Sequence, residues 1–434
     1  MSDKPQKEKK TKKRRDSDAG VRKFLTILLA LIAVCMTALV IYTLRNGSAD
    51  PSVSNGIVSM KATEATELTE EPTEVPTEAT TEATEPEDPE LYEAKKTLES
   101  MTLEEKVYQM FFVTSRELTD TYYLYTAGEE TRAALESKPV GGIVLDGENI
   151  FDRDQVAAMI ADTQSYSEIP LFVGVEEEGG FNSYLNGIGV TGYYDEMRVY
   201  GDDYETDRVY EIGNEIGTAI TGIGFNIDLA PVADTLSNDF NTEIGRRAFS
   251  ADPAVTATMV TQMVEGLHSG DCMSCLKYFP GLSVSNMDSR YGTATSEQTI
   301  DELQDNLLPF TAGIESGADM VMVSHLCFPN IVGENRPADL CTQIVNDLLR
   351  SQLGYDGVVM TDSFQKGAIS YNYNAGSAAI AAIQAGCDII YEPDDLTEAA
   401  EAVLEAVNSG VLTEERINES VLRILVLKYR NGLQ

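Results

Sequence analysis

The chain has 434 residues with a formal net charge of −39, and 43% of its residues are hydrophobic. That length exceeds one average domain, yet an α/β barrel of roughly 250–300 residues with non-globular ends accounts for it. So acidic a surface repels phosphates, which excludes nucleic acid as a partner, and two histidines in the whole chain speak against a metal centre.

Charge is unevenly distributed. The first 23 residues carry ten Lys/Arg against four Asp/Glu. Phe24 to Thr43 then runs without a charge, and about 20 apolar residues suffice to span a hydrocarbon core of about 30 Å. We expect one transmembrane helix over 24–43, with the basic tail 1–23 cytoplasmic and everything from Arg45 onward outside. A cleaved signal peptide is the alternative. The apolar run is longer than the usual h-region of about 7–15 residues and no small-residue cleavage site closes it, so the anchor is preferred. Val34 is too bulky to precede a lipidated Cys35.

Residues 44–92 are rich in Thr, Glu and Pro, as in Thr77-Glu78-Ala79-Thr80-Thr81-Glu82. Too few apolar side chains are present to offset the entropy of ordering, so this stretch reads as a disordered, self-repelling spacer. A helical stalk is opposed by Pro72, Pro76, Pro86 and Pro89. The composition changes at about residue 93, and a folded domain is expected over 93–434.

Within that domain, short β-prone runs alternate with longer amphipathic ones. Strands are predicted over Val107 to Val113, Gly142 to Leu145, Leu171 to Val175, Phe225 to Ala230, Ser274 to Phe279, Met320 to Ser324, Val358 to Thr361 and Asp388 to Tyr391. Between them, Asp207 to Thr221, Pro253 to Ser269, Ile300 to Ser316 and Gly376 to Ala385 have helical spacing. Eight β/α units favour a (β/α)8 TIM-like barrel over a doubly wound open sheet. Polar residues follow the strands: Glu176-Glu177-Glu178, Asp234, Lys277-Tyr278, His325 and Asp362. In a barrel they gather on the C-terminal rim, although any one of them taken alone reads more readily as a helix cap.

Five cysteines lie beyond residue 44, and an odd number does not suggest a disulfide framework. Cys272 and Cys275 form a C-x-x-C pair that reads as buried small residues rather than redox or metal ligands. His268, at the end of a predicted helix, is expected to be exposed.

Several motifs occur in an order that resembles family-3 glycoside hydrolases of the single-domain β-N-acetylglucosaminidase type. They are Met101-Thr102-Leu103-Glu104-Glu105-Lys106-Val107, Gly141-Gly142-Ile143-Val144-Leu145, Ala230-Pro231-Val232-Ala233-Asp234, Ile244-Gly245-Arg246-Arg247-Ala248-Phe249 and Gly357-Val358-Val359-Met360-Thr361-Asp362. The resemblance implies that Asp362 is the nucleophile of a retaining glycosidase. It implies that Arg247, Lys277, Tyr278 and His325 stand at sugar-binding positions, with Glu176 where the family has an aspartate. The family's catalytic loop reads Lys-His-Phe-Pro-Gly-His-Gly and then Asp-Ser-His, the last histidine being the general acid/base. This chain has Tyr278, Leu282 and, after Asp288, Arg290 at those histidine positions. A guanidinium, with a pKa above about 12, cannot act as that acid. His325, Glu177, Glu178 and Asp288 are the candidates to replace it.

The expectation is therefore a membrane-anchored extracellular glycoside hydrolase resembling β-N-acetylhexosaminidases, needing no cofactor. Its alternative is a catalytically impaired barrel that binds cell-wall glycan or a partner.

Overall fold

Thr102 decides where the first strand begins. Its hydroxyl accepts from the Glu105 amide at 3.3 Å while the Glu105 carboxylate accepts from the Thr102 amide at 2.7 Å. This reciprocal cap starts a helix over Leu103–Gln109, so the apolar run predicted as one strand from Val107 is split. Val107 to Gln109 finish the helix, and β1 is Phe111–Thr114. A capping box outweighs a short apolar run because it satisfies two otherwise orphaned amides.

The computed structural model describes residues 88–433. The expected span over 24–43 and nearly all of the expected spacer lie outside the described residues, among which no helix is long and apolar enough to cross a membrane. The last residues of that expected spacer are helical. Asp88 caps a helix over Pro89–Ser100, which docks on the closing helix Glu414–Arg430 through Thr97 and Tyr429, 2.7 Å apart, and Arg430 and Asp88, 2.8 Å apart.

The remaining strands are β2 (Gly142–Val144), β3 (Phe172–Val175), β4 (Ile227–Asp228), β5 (Met273–Phe279), β6 (Met320–Val323), β7 (Val358–Thr361) and β8 (Ile390–Tyr391). They form one eight-stranded parallel sheet in the order β7-β6-β5-β4-β3-β2-β1-β8. A bridge between Met360 and Ile389 brings the two ends together, with Thr361 N to Ile389 O at 3.0 Å and Ile389 N to Val359 O at 3.1 Å. The predicted barrel is thus present. β4 is shorter than expected, and before it the Asn226 side chain supplements the backbone pairing, accepting from Val173 N and donating to Leu171 O, each at 2.9 Å. Of the predicted helices, Pro253–Ser269 is reproduced in full and the other three begin or end within a few residues of their expected bounds.

The barrel interior is filled by large side chains set against glycines. Phe112 of β1 packs on Phe172 and edge-on to Tyr391, with ring centroids 6.4 and 5.9 Å away. A Cβ at Gly142 would lie 2.9 Å from both Phe112 and Phe172, and one at Gly174 would lie 2.7 Å from Phe112. With the interior solid, a ligand has access only at the strand ends.

Candidate active site

At the C-terminal ends of the strands lies a cavity of about 430 Å³ whose lining includes Asp146, Glu176, Glu243, Arg247, Tyr278, Arg290, Asp362, Lys366 and Glu392. Five of the predicted residues reach it: Glu176, Arg247, Tyr278, Arg290 and Asp362. Lys277, Asp288 and His325 do not line it.

Asp362 follows β7 directly and is 2% exposed. Its backbone amide continues the pairing to Val323 O of β6 at 3.0 Å, fixing the side chain at the cavity floor. One carboxylate oxygen accepts from Ser363 N at 2.8 Å, and the other from Lys366 Nζ at 2.7 Å. Burial opposes the charge, but the Lys366 ammonium and then His325 outweigh it and hold the carboxyl below its ordinary range. Lys366 also donates to Glu243 Oε1 at 3.0 Å and lies 4.9 Å from the centre of the Tyr278 ring. Glu243 in turn accepts from Ser289 N and Oγ at 2.8 and 2.7 Å, tying the loop after β5 to the one after β4.

A second ionic chain runs along β3 and β5. Arg247 grips Glu178 with two bonds of 2.7 and 2.6 Å and donates to the Tyr278 hydroxyl at 2.7 Å. Lys277, fully buried, pairs with Glu178 and lies 3.5 Å from Glu176. Burial works against all three charges. The cations nevertheless hold Glu178 ionised, with its pKa well below the usual range, while the carboxylates raise Lys277 and Arg247. Lys277 therefore acts behind the wall, orienting Glu176 and Glu178, and Tyr278 faces the cavity in its place.

The candidate replacement acids are engaged elsewhere. Glu178 is locked in its ion pairs. Glu177 accepts from Ser183 Oγ, Thr191 Oγ1 and the amides of Tyr184 and Leu185, so it knits the loop after β3. Asp288 accepts from Arg290 Nε at 2.8 Å and Nη2 at 2.5 Å, and that guanidinium lowers its pKa. His325 is sealed in the core, with Nδ1 3.0 Å from Asp339 and Nε2 2.8 Å from Ser363 O. The ring is buried away from the cavity, so the expected sugar contact is corrected to a structural role, with Nε2 holding the backbone next to Asp362. His268 is not freely exposed either, since its Nε2 lies 2.8 Å from Asp319. All five cysteines in the described residues are buried and unpaired. Cys272 Sγ bonds Met273 O while Cys275 Sγ contacts Met360 Sδ at 3.6 Å, so the C-x-x-C pair is packing.

Four charged lining residues escaped sequence reasoning: Asp146, Glu243, Lys366 and Glu392. Asp146 and Glu392 closely follow β2 and β8, and the rule applied to the other strand ends could have found them. Lys366 and Glu243 lie within loops, and their spacing alone gives no such signal.

The sequence profile of the glycosyl hydrolase family 3 N-terminal domain matches residues 102–427. The beta-hexosaminidase A of Pseudoalteromonas piscicida is 30% identical over 335 residues, covering 70% of this chain and 55% of that protein. The beta-hexosaminidase of Stenotrophomonas maltophilia is 32% identical over 285 residues, or 63% of this chain and 83% of its relative. The chain thus spans little more than half the length of the first of these. Among solved structures, a glycoside hydrolase family 3 beta-N-acetylglucosaminidase from Paenibacillus superimposes with a TM-score of 0.72 at 32% identity, over 77% of this chain and 63% of that one. A beta-N-acetylhexosaminidase from Beutenbergia cavernae does so with a TM-score of 0.68 at 26% identity, covering 76% of this chain and 99% of its own.

Proposed function

The chain belongs to glycosyl hydrolase family 3, and we propose that it is a membrane-anchored, β-N-acetylhexosaminidase-like hydrolase that removes terminal sugars from glycans with retention of configuration. The observation that carries this reading is Asp362, an ionised carboxylate fixed at the floor of a sugar-sized cavity by Lys366. In this reading Asp362 attacks the anomeric carbon, forms a glycosyl ester and is released when water attacks the same carbon. Arg247, Tyr278 and Glu176 face the cavity as donors and acceptors for the sugar hydroxyls, and Lys277 positions Glu176 from behind. The apolar segment 24–43 holds the enzyme at the membrane with the barrel outside, within reach of cell-wall glycan.

Hydrolysis of aryl β-N-acetylglucosaminides by the full-length protein, followed by NMR of the first-formed anomer, tests the reading. Turnover with retention that Asp362→Asn abolishes supports it, and inversion or an unaffected variant rejects it. A second reading, glycan binding without hydrolysis, is favoured by Arg290, which lines the cavity at the position of the family's acid/base histidine. Saturable glycan binding by a folded protein that turns over none of these substrates would establish it.

A further inference from the structure

The retaining mechanism requires a group that gives a proton to the departing oxygen, and none of the four candidates read from the sequence is free to give one. Glu392 is differently placed. It lines the same cavity as Asp362 and follows β8, which meets β7 at the Met360–Ile389 bridge. Its backbone has φ of 47°, in the left-handed region that side-chain-bearing residues rarely adopt. Held conformations of this kind cluster at functional sites. Among the described residues no cation pairs with it; its side-chain partners are neutral, Ser363 Oγ, which donates to Oε2 at 2.6 Å, and the Tyr391 hydroxyl.

Building on the glycosidase reading above, we propose that Glu392 is the general acid/base of this enzyme, standing in for the histidine that its catalytic loop lacks. In the first step Asp362 forms a bond to the anomeric carbon as the glycosidic C–O bond breaks, and the Glu392 proton passes to the leaving oxygen. The products are an alcohol, a glycosyl ester and the Glu392 carboxylate. In the second step that carboxylate takes a proton from water, the water oxygen displaces Asp362 from the anomeric carbon, and both carboxyl groups return to their starting states.

The surroundings divide the two roles. Asp362 is kept ionised by Lys366, whereas Glu392 is surrounded by carboxylates. Asp146 and Glu176 face it from the ends of β2 and β3, and Glu117 from the helix Ser115–Thr119. Tyr184 and Tyr391 complete its titratable neighbours. Burial first, and then Glu176 and Asp146, outweigh the bonds from Ser363 and Tyr391 and bring its pKa to about 7. Two carboxyl groups whose environments push their pKa values apart are what an acid and a nucleophile sharing one site require.

The test uses the full-length protein with 2,4-dinitrophenyl and methyl β-N-acetylglucosaminides, a leaving group that needs no proton and one that does. Glu392→Gln is expected to lower turnover of the methyl glycoside by about 10²–10⁴-fold, to spare formation of the glycosyl ester from the dinitrophenyl one, and to erase the alkaline limb of the pH profile. Sodium azide added to Glu392→Ala is expected to speed dinitrophenyl turnover and yield the β-glycosyl azide, a product that no structural role explains. Ser363→Ala, which deletes a bond favouring the charged form, is expected to move the alkaline limb upward. Methyl-glycoside turnover and an alkaline limb unchanged in Glu392→Gln would overturn the proposal. So would a wild type that cleaves only the dinitrophenyl substrate, although Asp362-dependence there would leave the nucleophile standing. A wild type inert toward both rejects the glycosidase reading itself.

Discussion

Replacing Lys366 by Met removes a charge while keeping most of its buried stem, so the loss isolates electrostatics. The ammonium makes two charge-assisted bonds, 2.7 Å to Asp362 and 3.0 Å to Glu243, and its side chain is 16% exposed. Bonds to charged groups contribute about 1.5–3 kcal/mol each, and removing one partner of a buried pair costs about 3–5 kcal/mol. With slight exposure admitting some screening, the lower part of that range, about 3 kcal/mol, is expected from urea unfolding at neutral pH. The pH dependence is also fixed. The Asp362 pKa is depressed in the fold, so its contribution is present above the unfolded value near 3.9 and lost as pH falls through the folded one. The Lys366 pKa is raised in the fold, so its contribution is present below about 10.4 and lost as pH rises through the folded value. The stability gap between wild type and variant should therefore be level from about pH 5 to 9 and close at both extremes. Without its cation, Asp362 should also titrate higher, moving the acid limb of turnover upward. A gap below about 1 kcal/mol, the worth of an exposed pair, or one that widens on acidification, would refute the reasoning.

Three further outcomes are expected. Gly142→Ala places a methyl group 2.9 Å from Phe112 and Phe172, and such overpacking should cost about 1–3 kcal/mol in chemical unfolding; an unchanged midpoint would mean that the interior yields more than described. Tyr278→Phe removes the acceptor of the 2.7 Å bond from Arg247 and should cost about 1–2 kcal/mol, read by the same assay. Lys428 is fully buried, and burial lowers its pKa to about 7. Between that value and the unfolded one of about 10.4 the unfolded chain binds more protons, so wild type should gain stability over Lys428→Met as pH rises from 7 to 10. A constant difference over that range would contradict the shift.

How much could be read in advance depended on whether a signal was local. Strand cores such as Val358–Thr361 and Met320–Val323 are apolar runs bounded by polar residues, and they appear where expected. The first strand was misplaced because an apolar run looks alike in a strand and in the buried turn of a helix; the Thr102 and Glu105 pair held the deciding information. Within the site, Asp362 and Arg247 were legible from motif context. The partnership of Lys366 with Glu243 spans 123 positions, a separation over which periodicity carries no information. His325 shows the opposite failure. Its position at the end of β6 suggested the cavity, but only the neighbouring Asp339 and the Ser363 carbonyl reveal that its ring turns into the core.

The buried thiols offer a way to watch this molecule open. Cys272 and Cys275 lie before and within β5, Cys327 and Cys341 follow β6, and Cys387 precedes β8, and none pairs with another. A thiol reagent in solution cannot meet them until the sector that covers each one parts. The order in which they are labelled would record which segments of the wall breathe first, using reporters the native chain already carries.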